Sequence, residues 1–443
     1  MKTTKIYDII GIGIGPFNLG LAALSAPVAD LDTLFLDQSD EFNWHPGLML
    51  DEVTLQVPFM ADLVTMADPA SPYSFLNYMK HSGRLYKFYI RENFFIFRKE
   101  YNAYCKWVLG QLNNCLYAKK VVSVTYKNGV YQVTAQDTHS GETHTWQTYK
   151  LVLGTGTSPY IPTVIKKKLL KDVIHTSQYL NHKENLVKKE SITIIGSGQS
   201  AAEIFQDLLP EVKKGMKLNW FTRSERFFPL ENHTKLTLEL TSPDYIDYFH
   251  NLPEVQRKDV LSRQHILFKG INAELINQIY NSLYAMNISD DQLKVVLMAN
   301  SKLNDICQEE DESYLLNFSQ VEQQNSFEIN TDYVILATGY KYVEPDFLTG
   351  ISHRIRRLED GNYDVYRNYT IDEAGNEIFV QNAELHTHGI STPDLGMGAY
   401  RNSQIINQIA GRTVYEVEQR IAFQSFSTSD LPVHLKSIVD LTL

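Results

Sequence analysis

The sequence contains few cysteines, and their positions limit its chemistry. Only Cys105, Cys115 and Cys307 occur among 443 residues. No two of them are spaced as a Cys-x-x-Cys pair, so neither a dithiol redox motif nor a zinc-binding pair is indicated. Unpaired cysteines at this frequency are typical of a reducing compartment. The sequence therefore argues against thiol–disulfide exchange and against a metal centre.

Long apolar runs and excess positive charge are also missing. No run approaches the roughly 18 apolar residues that cross a bilayer. Residues 2–26 resemble a signal peptide, with Lys2 and Lys5 near an apolar stretch, but Asp8 interrupts that stretch. The 41 basic residues are outnumbered by 52 acidic ones, which gives a net charge of −11 and no attraction for nucleic acid. We therefore predict a cytoplasmic protein without membrane or nucleic-acid partners.

The first glycine-rich segment is typical of a dinucleotide-binding loop. Residues 6–25 read IYDIIGIGIGPFNLGLAALS, in which a β-branched run is followed by glycines and then by a helix-compatible stretch. Gly11, Gly13 and Gly15 allow a tight turn close to a pyrophosphate, which the N-terminus of the next helix stabilises. The following strand-like segment ends at Asp37, an acid suited to a ribose hydroxyl. We expect a nucleotide here; the alternative is a tight glycine turn that binds nothing.

A second loop of this kind lies in a separate part of the chain. Residues 191–209 read SITIIGSGQSAAEIFQDLL, with Gly196 and Gly198 between an isoleucine-rich strand and a helix. The next strand ends near Arg223 and Arg226, where the first unit has an acid. An acid would repel a 2′-phosphate, whereas an arginine accommodates it. The loop therefore predicts NADPH rather than NADH, unless both arginines are only surface charges.

Two adjacent nucleotide units suggest that a nicotinamide passes a hydride to a flavin. Glycine turns at 151–159 and 332–345 predict where the chain crosses between the units. We predict an α/β fold with two Rossmann-like dinucleotide-binding domains, the NADPH domain being inserted in the FAD domain. Residues 424–443 are expected to form a loosely held tail. The predicted domains are 1–165 (FAD domain, first part), 166–334 (NADPH domain, inserted) and 335–443 (FAD domain, second part, with substrate-site contributions).

A reduced flavin has three kinds of electron acceptor: a protein thiol, another protein, or oxygen. The missing cysteine pair argues against the first. The second would require a docking patch, and the third a dry pocket over the flavin, because water and protons destroy an oxygen adduct. The segments NWHPGLML and LQVPFMADLV are apolar enough to line such a pocket.

Several motifs in a fixed order show a family resemblance that covers nearly the whole chain. They are GIGIGPFN, FNWHPGL, LQVPFMADLVT, SPYSFLNYM, FRKEYNAYCKWV, GSGQSAAE and an ATGY segment. The chain resembles the flavin-dependent N-hydroxylating monooxygenases of siderophore biosynthesis, which act on L-lysine, L-ornithine or diamines. In that family NADPH reduces FAD, oxygen then gives a C4a-hydroperoxyflavin that bound NADP shields, and a neutral primary amine becomes a hydroxylamine. The resemblance therefore implies FAD, NADPH, molecular oxygen and a small amine, with no acid–base pair.

The resemblance also implies roles for individual residues. Gln56 and Arg98 would lie beside the flavin and the nicotinamide as catalytic residues. No metal ligand is implied. The implied cofactor-binding residues are Gly13, Gly15, Pro16, Asn18, Asp37, Gln38, Trp44, His45, Gly198, Gln199, Ser200, Arg223, Thr338 and Gly339.

The predicted substrate pocket departs from the family at two positions. Ala61 stands where amino-acid hydroxylases have a lysine that pairs with the substrate α-carboxylate. Leu238 stands, in an alignment without gaps, where they have an asparagine. Because a methyl group cannot replace a charge-assisted bond, a substrate without a carboxylate is indicated. We predict an aliphatic diamine at a site formed by Gln56, Ala61, Leu238 and Glu239, with putrescine favoured over cadaverine although nothing in the sequence sizes the pocket.

Some alternatives stay open at this point. The distal ammonium of a diamine needs a partner, for which Glu239, Glu384 and Asp394 are candidates by location only. The same chemistry on L-lysine or L-ornithine is one alternative, and a flavoprotein electron-transfer module without oxygenation is another. Glu344-Pro345 replaces the His-Pro that often follows ATGY in the family, and we have no physical account of that change. Family analogy suggests a homodimer or homotetramer.

Overall fold

The computed structural model describes residues 5–431, apart from 167, 169, 232–233 and 290–291. The last twelve positions of the predicted tail therefore lie outside the described residues. The strands are β1 (Ile6–Ile12), β2 (Thr33–Leu36), β3 (Cys115–Leu116), β4 (Lys119–Lys127), β5 (Val130–Asp137), β6 (Thr143–Leu153), β7 (Ser158–Pro159), β8 (Val173–His175), β9 (Ser191–Ile195), β10 (Lys217–Phe221), β11 (Val295–Met298), β12 (Ser301–Gln308), β13 (Tyr314–Gln320), β14 (Asn325–Thr331), β15 (Tyr333–Leu336), β16 (Tyr340–Lys341) and β17 (Ile378–Val380). The α-helices are α1 (Pro16–Ser25), α2 (Phe75–His81), α3 (Leu85–Arg91), α4 (Arg98–Leu109), α5 (Thr163–Lys166), α6 (Tyr179–Leu186), α7 (Gln199–Val212), α8 (Lys235–Leu238), α9 (Pro243–Asn251), α10 (Glu254–Arg263), α11 (Ile266–Lys269), α12 (Ala273–Asn287), α13 (Leu385–His388) and α14 (Gly398–Ala410).

The first sheet is built around β1. β1 pairs in parallel with β2 and β6, and the order β3-β2-β1-β6-β17 is parallel throughout. β4 and β5 extend β6 as an antiparallel meander. The β-branched residues Ile9 and Ile10 are fully buried, as expected for a parallel strand covered on both faces. Pro16 then opens α1 at a position where its missing N–H costs nothing.

The second sheet has the order β11-β10-β9-β15-β8 and is entirely parallel. All five residues of β9 are buried. The helix that follows, α7, packs Ile204, Phe205 and Leu208 into the same apolar core. A separate antiparallel sheet, β12-β13-β14, flanks this second unit.

The chain crosses between the two units twice, and the crossing segments pair with each other as β7 and β16. Ile165 of α5 packs into a core shared with the second sheet, and β15 continues that sheet to Leu336. The predicted boundaries at 165/166 and 334/335 therefore fall inside elements that pack with the second unit. We propose that the boundaries lie at the β7–β16 pair.

The two units touch closely near this crossing. Gly47 lies in a 3₁₀ turn, Pro46–Leu48, of the first unit. A Cβ added to Gly47 would lie 1.7 Å from the carbonyl oxygen of Ser177. Leu48 joins the apolar core of the second unit. The glycine of the HPG motif is thus required by packing between the units.

The C-terminal strap, residues 421–427, lies across α8 and α9. Asp244 accepts main-chain N–H bonds from its first two residues (2.9 and 3.2 Å), and Glu239 accepts two more from the next two (both 3.0 Å). Phe426 packs edge-on against Tyr245, with ring centroids 5.1 Å apart. These contacts correct the expectation of a loose tail for residues 424–427.

Candidate active site between the two nucleotide-binding units

The first glycine loop has the shape of an anion cradle. Gly13 adopts φ +90°, and a Cβ added there would lie 2.4 Å from the carbonyl oxygen of Gly154. Gly15 instead faces open space, with no atom within 4 Å of an added Cβ. Because Pro16 begins α1 immediately afterwards, the positive end of the helix dipole lies at this space. The loop therefore fits a dinucleotide pyrophosphate.

The side chain of Asn18 makes its hydrogen bonds within the protein. It is 1% exposed. Its amide nitrogen donates to the Gly13 carbonyl, and its amide oxygen accepts from Gln381 Nε2, both at 2.7 Å. A Cβ added to Gly154 would lie 2.4 Å from the Asn18 amide nitrogen, so Gly154 makes room for this side chain. Any part that Asn18 plays in cofactor binding is therefore through the position of the loop.

Asp37 supports the other side of the loop. One carboxylate oxygen accepts the N–H of Ile14 at 2.6 Å, and the other accepts the N–H and hydroxyl of Ser39 at 2.8 and 2.5 Å. Asp37 and the exposed Gln38 follow β2 at its carboxyl end. This is the edge of the sheet where a ribose is predicted to bind.

The second glycine loop, like the first, lies between a buried strand and the N-terminus of a helix. Gly196 adopts φ +143°, and its carbonyl accepts a bond from Trp220 Nε1 at 2.6 Å. Gly198 precedes α7, and Gln199 and Ser200 are the first two residues of that helix. The N-terminus of α7 is thus available to a second pyrophosphate.

A cavity of about 440 Å³ opens beside the second loop. Its lining includes Arg223, His265 and Lys269, together with one acid, Glu225; Arg226 is not part of it. Partial burial and then the charge of Arg223 lower the pKa of Lys269. Basic groups that converge in this way favour an anion such as a 2′-phosphate. Sequence reasoning missed His265 and Lys269, because no motif connects α11 with the glycine loop.

Arg98 and Glu203 form a buried ion pair between the two units. Arg98 is the first residue of α4, and its two terminal nitrogens donate to the two carboxylate oxygens of Glu203 on α7, at 2.9 and 2.7 Å. The two side chains are 13% and 1% exposed. Gln199 Nε2 donates a further bond to Glu203 at 2.8 Å. Arg98, which was predicted near flavin and nicotinamide, therefore lies where the two units meet.

Gln56 joins the same polar cluster through Asn272. The side-chain nitrogen of Asn272 donates to Gln56 Oε1 at 3.1 Å, and its main-chain N–H donates to Gln199 Oε1 at 2.8 Å. The interdomain polar cluster is defined here as Gln56, Arg98, Gln199, Glu203 and Asn272. Sequence reasoning missed the last two. The i, i+4 spacing of Gln199 and Glu203 within GSGQSAAE is a signal that could have identified Glu203.

Trp44 and His45 belong to an aromatic group at this boundary. The Trp44 ring centroid lies 5.2 Å from that of Tyr101 and 4.9 Å from that of His45, which in turn is 6.0 Å from Tyr340. His45 has the left-handed backbone conformation, with φ 51°. Although His45 keeps solvent-exposed surface, desolvation by the groups packed around its ring, and then the charge of Arg98, lower its pKa to about 4. The imidazole is therefore neutral at neutral pH.

Thr338 and Gly339 lie at the second crossing, directly after β15. The Thr338 hydroxyl donates to the carbonyl of Tyr160. Gly339 adopts φ +79°, faces open space, and accepts the N–H of Tyr160 at 2.8 Å. Their predicted role at the cofactor is compatible with this place and stays a prediction.

Asp62 gives the segment LQVPFMADLVT its irregular shape. The side chain is buried and accepts four hydrogen bonds, from the N–H groups of Val64, Thr65 and Phe75 and from the Thr65 hydroxyl. These bonds replace the ladder that a strand would provide. The neighbouring Ala61 is 6% exposed. A Cβ added to Gly396 would lie 3.8 Å from the Ala61 Cβ and 3.1 Å from Asp394 Oδ1.

The three acids considered for the distal ammonium differ in how far the protein already neutralises them. Glu384 is fully buried and lies 3.2 Å from Arg401. Glu239 holds the C-terminal strap, directly after Leu238, which is 37% exposed at the end of α8. Among the described residues, Asp394 accepts a single hydrogen bond, from the N–H of Gly396 at 2.7 Å. Burial raises the pKa of Asp394, although the charge of Arg401 acts in the opposite direction, so a cationic partner would stabilise the ionised form of this carboxyl group.

Two kinds of site are not found within the part of the chain that the structure describes. No group of three or more His, Cys, Asp or Glu residues there could hold a metal ion. No helix there is both long and apolar enough to span a bilayer.

Together, these features define an oxidoreductase in which two dinucleotide sites face one polar cluster. A family model described as L-lysine 6-monooxygenase/L-ornithine 5-monooxygenase matches residues 5–342. The chain belongs to this family.

Individual relatives are also similar over nearly the whole chain. Identity to a putrescine N-hydroxylase of Shewanella oneidensis is 51% over 431 residues, covering 96% of this chain and 85% of that protein. Identity to the alcaligin biosynthesis enzyme of Bordetella pertussis is 47% over 428 residues, covering 96% and 92%. The solved structure of DfoA bound to FAD, a cadaverine monooxygenase of desferrioxamine biosynthesis in Erwinia amylovora, is 52% identical. It covers 96% of this chain and 99% of its own, with a TM-score of 0.93.

The predicted family, the fold class with two Rossmann-like domains and the enzyme class are therefore confirmed. The roles of the individual residues stay predictions.

Proposed function

We propose that the enzyme N-hydroxylates an aliphatic diamine, putrescine before cadaverine, and supplies a hydroxylamine for hydroxamate siderophore biosynthesis. The observation that carries this proposal is the pairing of Ala61 with Asp394 around Gly396. Ala61 offers a methyl group at the position where the α-carboxylate of an amino acid would need a cation. Asp394 offers a carboxylate with which the second ammonium of a diamine would pair. Two similar proteins, a putrescine N-hydroxylase and a cadaverine monooxygenase, support the same substrate class.

The cofactors are FAD and NADPH, as the sequence predicts. The first glycine loop and Asp37 would hold FAD, and the second loop with Arg223 and Lys269 would hold NADPH. When bound, the reduced flavin supplies the activation of molecular oxygen that lets one oxygen atom pass to an amine nitrogen. The protein itself would bind the cofactors and the amine, align them, and keep water away from the reacting atoms.

The substrate residues would act on the two ends of the diamine differently. The ionised carboxylate of Asp394 would bind the charged distal ammonium. The reacting amine needs a free lone pair, which dry surroundings favour because desolvation disfavours the charged ammonium. The same exclusion of water would protect the oxygen-transfer step.

The decisive experiment measures hydroxylamine formation by the FAD-loaded enzyme with NADPH and oxygen. Putrescine, cadaverine, L-ornithine and L-lysine would be compared at equal concentration. Product from a diamine and from neither amino acid is expected. Product from ornithine or lysine would keep the family and overturn the substrate, whereas peroxide without hydroxylamine from every amine would favour an electron-transfer module.

We also propose that the enzyme is a homo-oligomer, a dimer or tetramer. Support comes from family analogy and from an exposed apolar group on and after α3, in which Tyr86, Tyr89, Ile90 and Phe94 are each at least 64% exposed. Light scattering coupled to size exclusion would test this; a monomer at micromolar concentration would contradict it.

We propose a cytoplasmic location, supported by three cysteines that form no pair within the described residues. Cell fractionation would test it, and recovery in the periplasm would contradict it.

A further inference from the structure

Glu203 holds two predicted site residues at once. It lies one helical turn after Gln199 on α7 and is 3% exposed. Its two oxygens accept both terminal nitrogens of Arg98, at 2.9 and 2.7 Å. One of those oxygens also accepts Gln199 Nε2 at 2.8 Å. A single carboxylate therefore connects the residue predicted to face the flavin with one predicted to hold NADPH.

The hydrogen bonds around Glu203 belong to a network that crosses the boundary between the units twice. The main-chain N–H of Arg98 donates to the carbonyl of Val53 at 2.9 Å, which ties α4 to the segment that leads to Gln56. Gln56 accepts from Asn272, and Asn272 donates its main-chain N–H to Gln199. The interdomain polar cluster thus contacts the first unit at two residues, Arg98 and Gln56.

This arrangement is better suited to fixing geometry than to adding stability. Burial of a carboxylate and a guanidinium carries a desolvation cost that their attraction only partly offsets. Their forked, two-bond geometry, however, allows one relative orientation of the two groups. α4 and α7 belong to different units, so the same two bonds fix the units relative to each other. Hydride transfer requires such alignment, because it depends steeply on the distance between the reacting rings.

We propose that Glu203 is a positioning residue that sets the alignment of the nicotinamide and flavin halves of the site by holding Arg98 and Gln199 together. The inference rests on the proposed use of FAD and NADPH. It is independent of which amine is the substrate.

The test compares Glu203→Gln with Glu100→Gln in the full-length, FAD-loaded enzyme. Glu100 makes a matched control: it also pairs with an arginine, Arg84, at 2.6 Å, and it lies on α4 two residues after Arg98, but its pair stays within the first unit. Anaerobic stopped-flow would follow flavin reduction by NADPH without any amine. Reduction by dithionite, which needs no nicotinamide, would be measured in parallel.

We expect Glu203→Gln to slow reduction by NADPH at least about tenfold while leaving reduction by dithionite and FAD content within about twofold of the wild type. Glu100→Gln should leave all three within about twofold. Because Glu203 acts through Arg98, the double variant Arg98→Lys/Glu203→Gln should be no slower than the slower single variant. If Glu203→Gln does not fold, Glu203→Asp, which keeps the charge but is one methylene shorter, is expected to show the same selective loss.

Three results would overturn the proposal: an unchanged rate with NADPH, an equal loss in Glu100→Gln, or additive effects with Arg98→Lys. Failure of the proposed function would look different. If no amine gives a hydroxylamine, the comparison of flavin-reduction rates still tests the role of Glu203. No NADPH-driven reduction in the wild type would overturn the cofactor assignment. In that case small-angle scattering of the cofactor-free proteins would test the role of Glu203. Glu203→Gln should broaden the distribution of distances between the units, whereas Glu100→Gln should not.

Discussion

Ala61 and Asp394 both lie next to Gly396, and we propose that a methyl group beside a carboxylate favours a diamine over an amino acid at this place. The other two candidate acids already have partners: Glu384 pairs with Arg401, and Glu239 accepts two main-chain N–H bonds. Substrate choice at this place therefore depends on single residues, because charge-assisted hydrogen bonds carry most of the discrimination.

Asp394→Asn is expected to raise the KM for putrescine about ten- to hundredfold, because a hydrogen bond to a charged group is worth about 1.5–3 kcal/mol. Steady-state kinetics of hydroxylamine formation would measure this. Asp311→Asn, an isosteric change in a surface turn between β12 and β13, serves as the control and should leave the KM unchanged. Equal KM values for both variants would remove Asp394 from the substrate site.

The pH dependence of Asp394 follows from its raised pKa, which burial causes. The carboxylate exists only above that pKa, so its help in binding the diamine is lost as the pH falls through it. The KM values of the wild type and Asp394→Asn should therefore converge at acid pH and diverge as the pH rises. In the absence of substrate, a carboxyl group whose pKa is raised in the folded state destabilises that state once it ionises. Asp394→Asn should consequently be the more thermostable protein at neutral pH, and a lower Tm would contradict the assignment.

Arg223 and Lys269 are expected to recognise the 2′-phosphate of NADPH. Arg223→Ala and Lys269→Ala should each lower kcat/KM with NADPH about tenfold or more, as expected for loss of a charge-assisted bond, and should change activity with NADH little. Arg226→Ala, outside the cavity lining, is the control. A similar loss with both cofactors would mean that the cavity does not bind the phosphate.

At the scale of elements, short contacts between segments that are distant in sequence hold the site together. The 3₁₀ turn Pro46–Leu48 meets Ser177 of the second unit, and the C-terminal strap meets α8 and α9. Neither contact follows from the propensity of its own segment.

Gly47→Ala should destabilise the protein by roughly 1–3 kcal/mol, the usual cost of overpacking, because the new Cβ would lie 1.7 Å from a main-chain oxygen. Chemical denaturation would measure this. Gly110→Ala is the matched control, since Gly110 has φ −62° and its nearest neighbours lie 3.6 Å from an added Cβ. Equal stability of the two variants would show that the units separate there without cost.

Glu239→Ala is expected to release the C-terminal strap, because its carboxylate accepts the N–H groups of Phe423 and Gln424. Limited proteolysis should cut within residues 421–427 several times faster than in the wild type, while the KM for the amine stays the same. Glu418→Ala, just before the strap, should leave the cleavage rate unchanged. A selective rise in KM instead would support the predicted role of Glu239 in the substrate site.

At the scale of the whole molecule, the interdomain polar cluster, the turn Pro46–Leu48 and the β7–β16 pair all connect the two nucleotide-binding units. Each unit has its own sheet and its own apolar core, and β7 pairs with β16 where the chain passes between them. The two ligands should therefore stabilise the enzyme separately.

FAD added to FAD-depleted enzyme should raise the Tm, since a ligand at about one hundred times its Kd adds about 2.7 kcal/mol to the free energy of unfolding. NADP⁺ should add a further, smaller rise. Arg223→Ala should keep the response to FAD and lose that to NADP⁺. If Arg223→Ala responds to both ligands like the wild type, the second site is not where we place it.

Much of the nucleotide-binding architecture was accessible from the sequence, because its signals are local. A β-branched strand, glycines and a helix follow one another within 6–25 and again within 191–209, and both loops fold as expected. The domain boundaries were less accessible, since α5 and β15 resemble any short element until their pairing with the second unit is known.

The sequence by itself determined the family, the two loops, the missing cysteine pair and the missing lysine at Ala61, because each is a property of residue type or short spacing. Only the tertiary structure decided which side chains lie together: Glu203 with Arg98, Asn272 with Gln56, and Asp394 near Ala61. The physical reason is that each pair joins segments far apart in the chain. Packing between the two units sets the first two distances and packing within the first unit sets the third, and no periodicity in any of these segments carries that information.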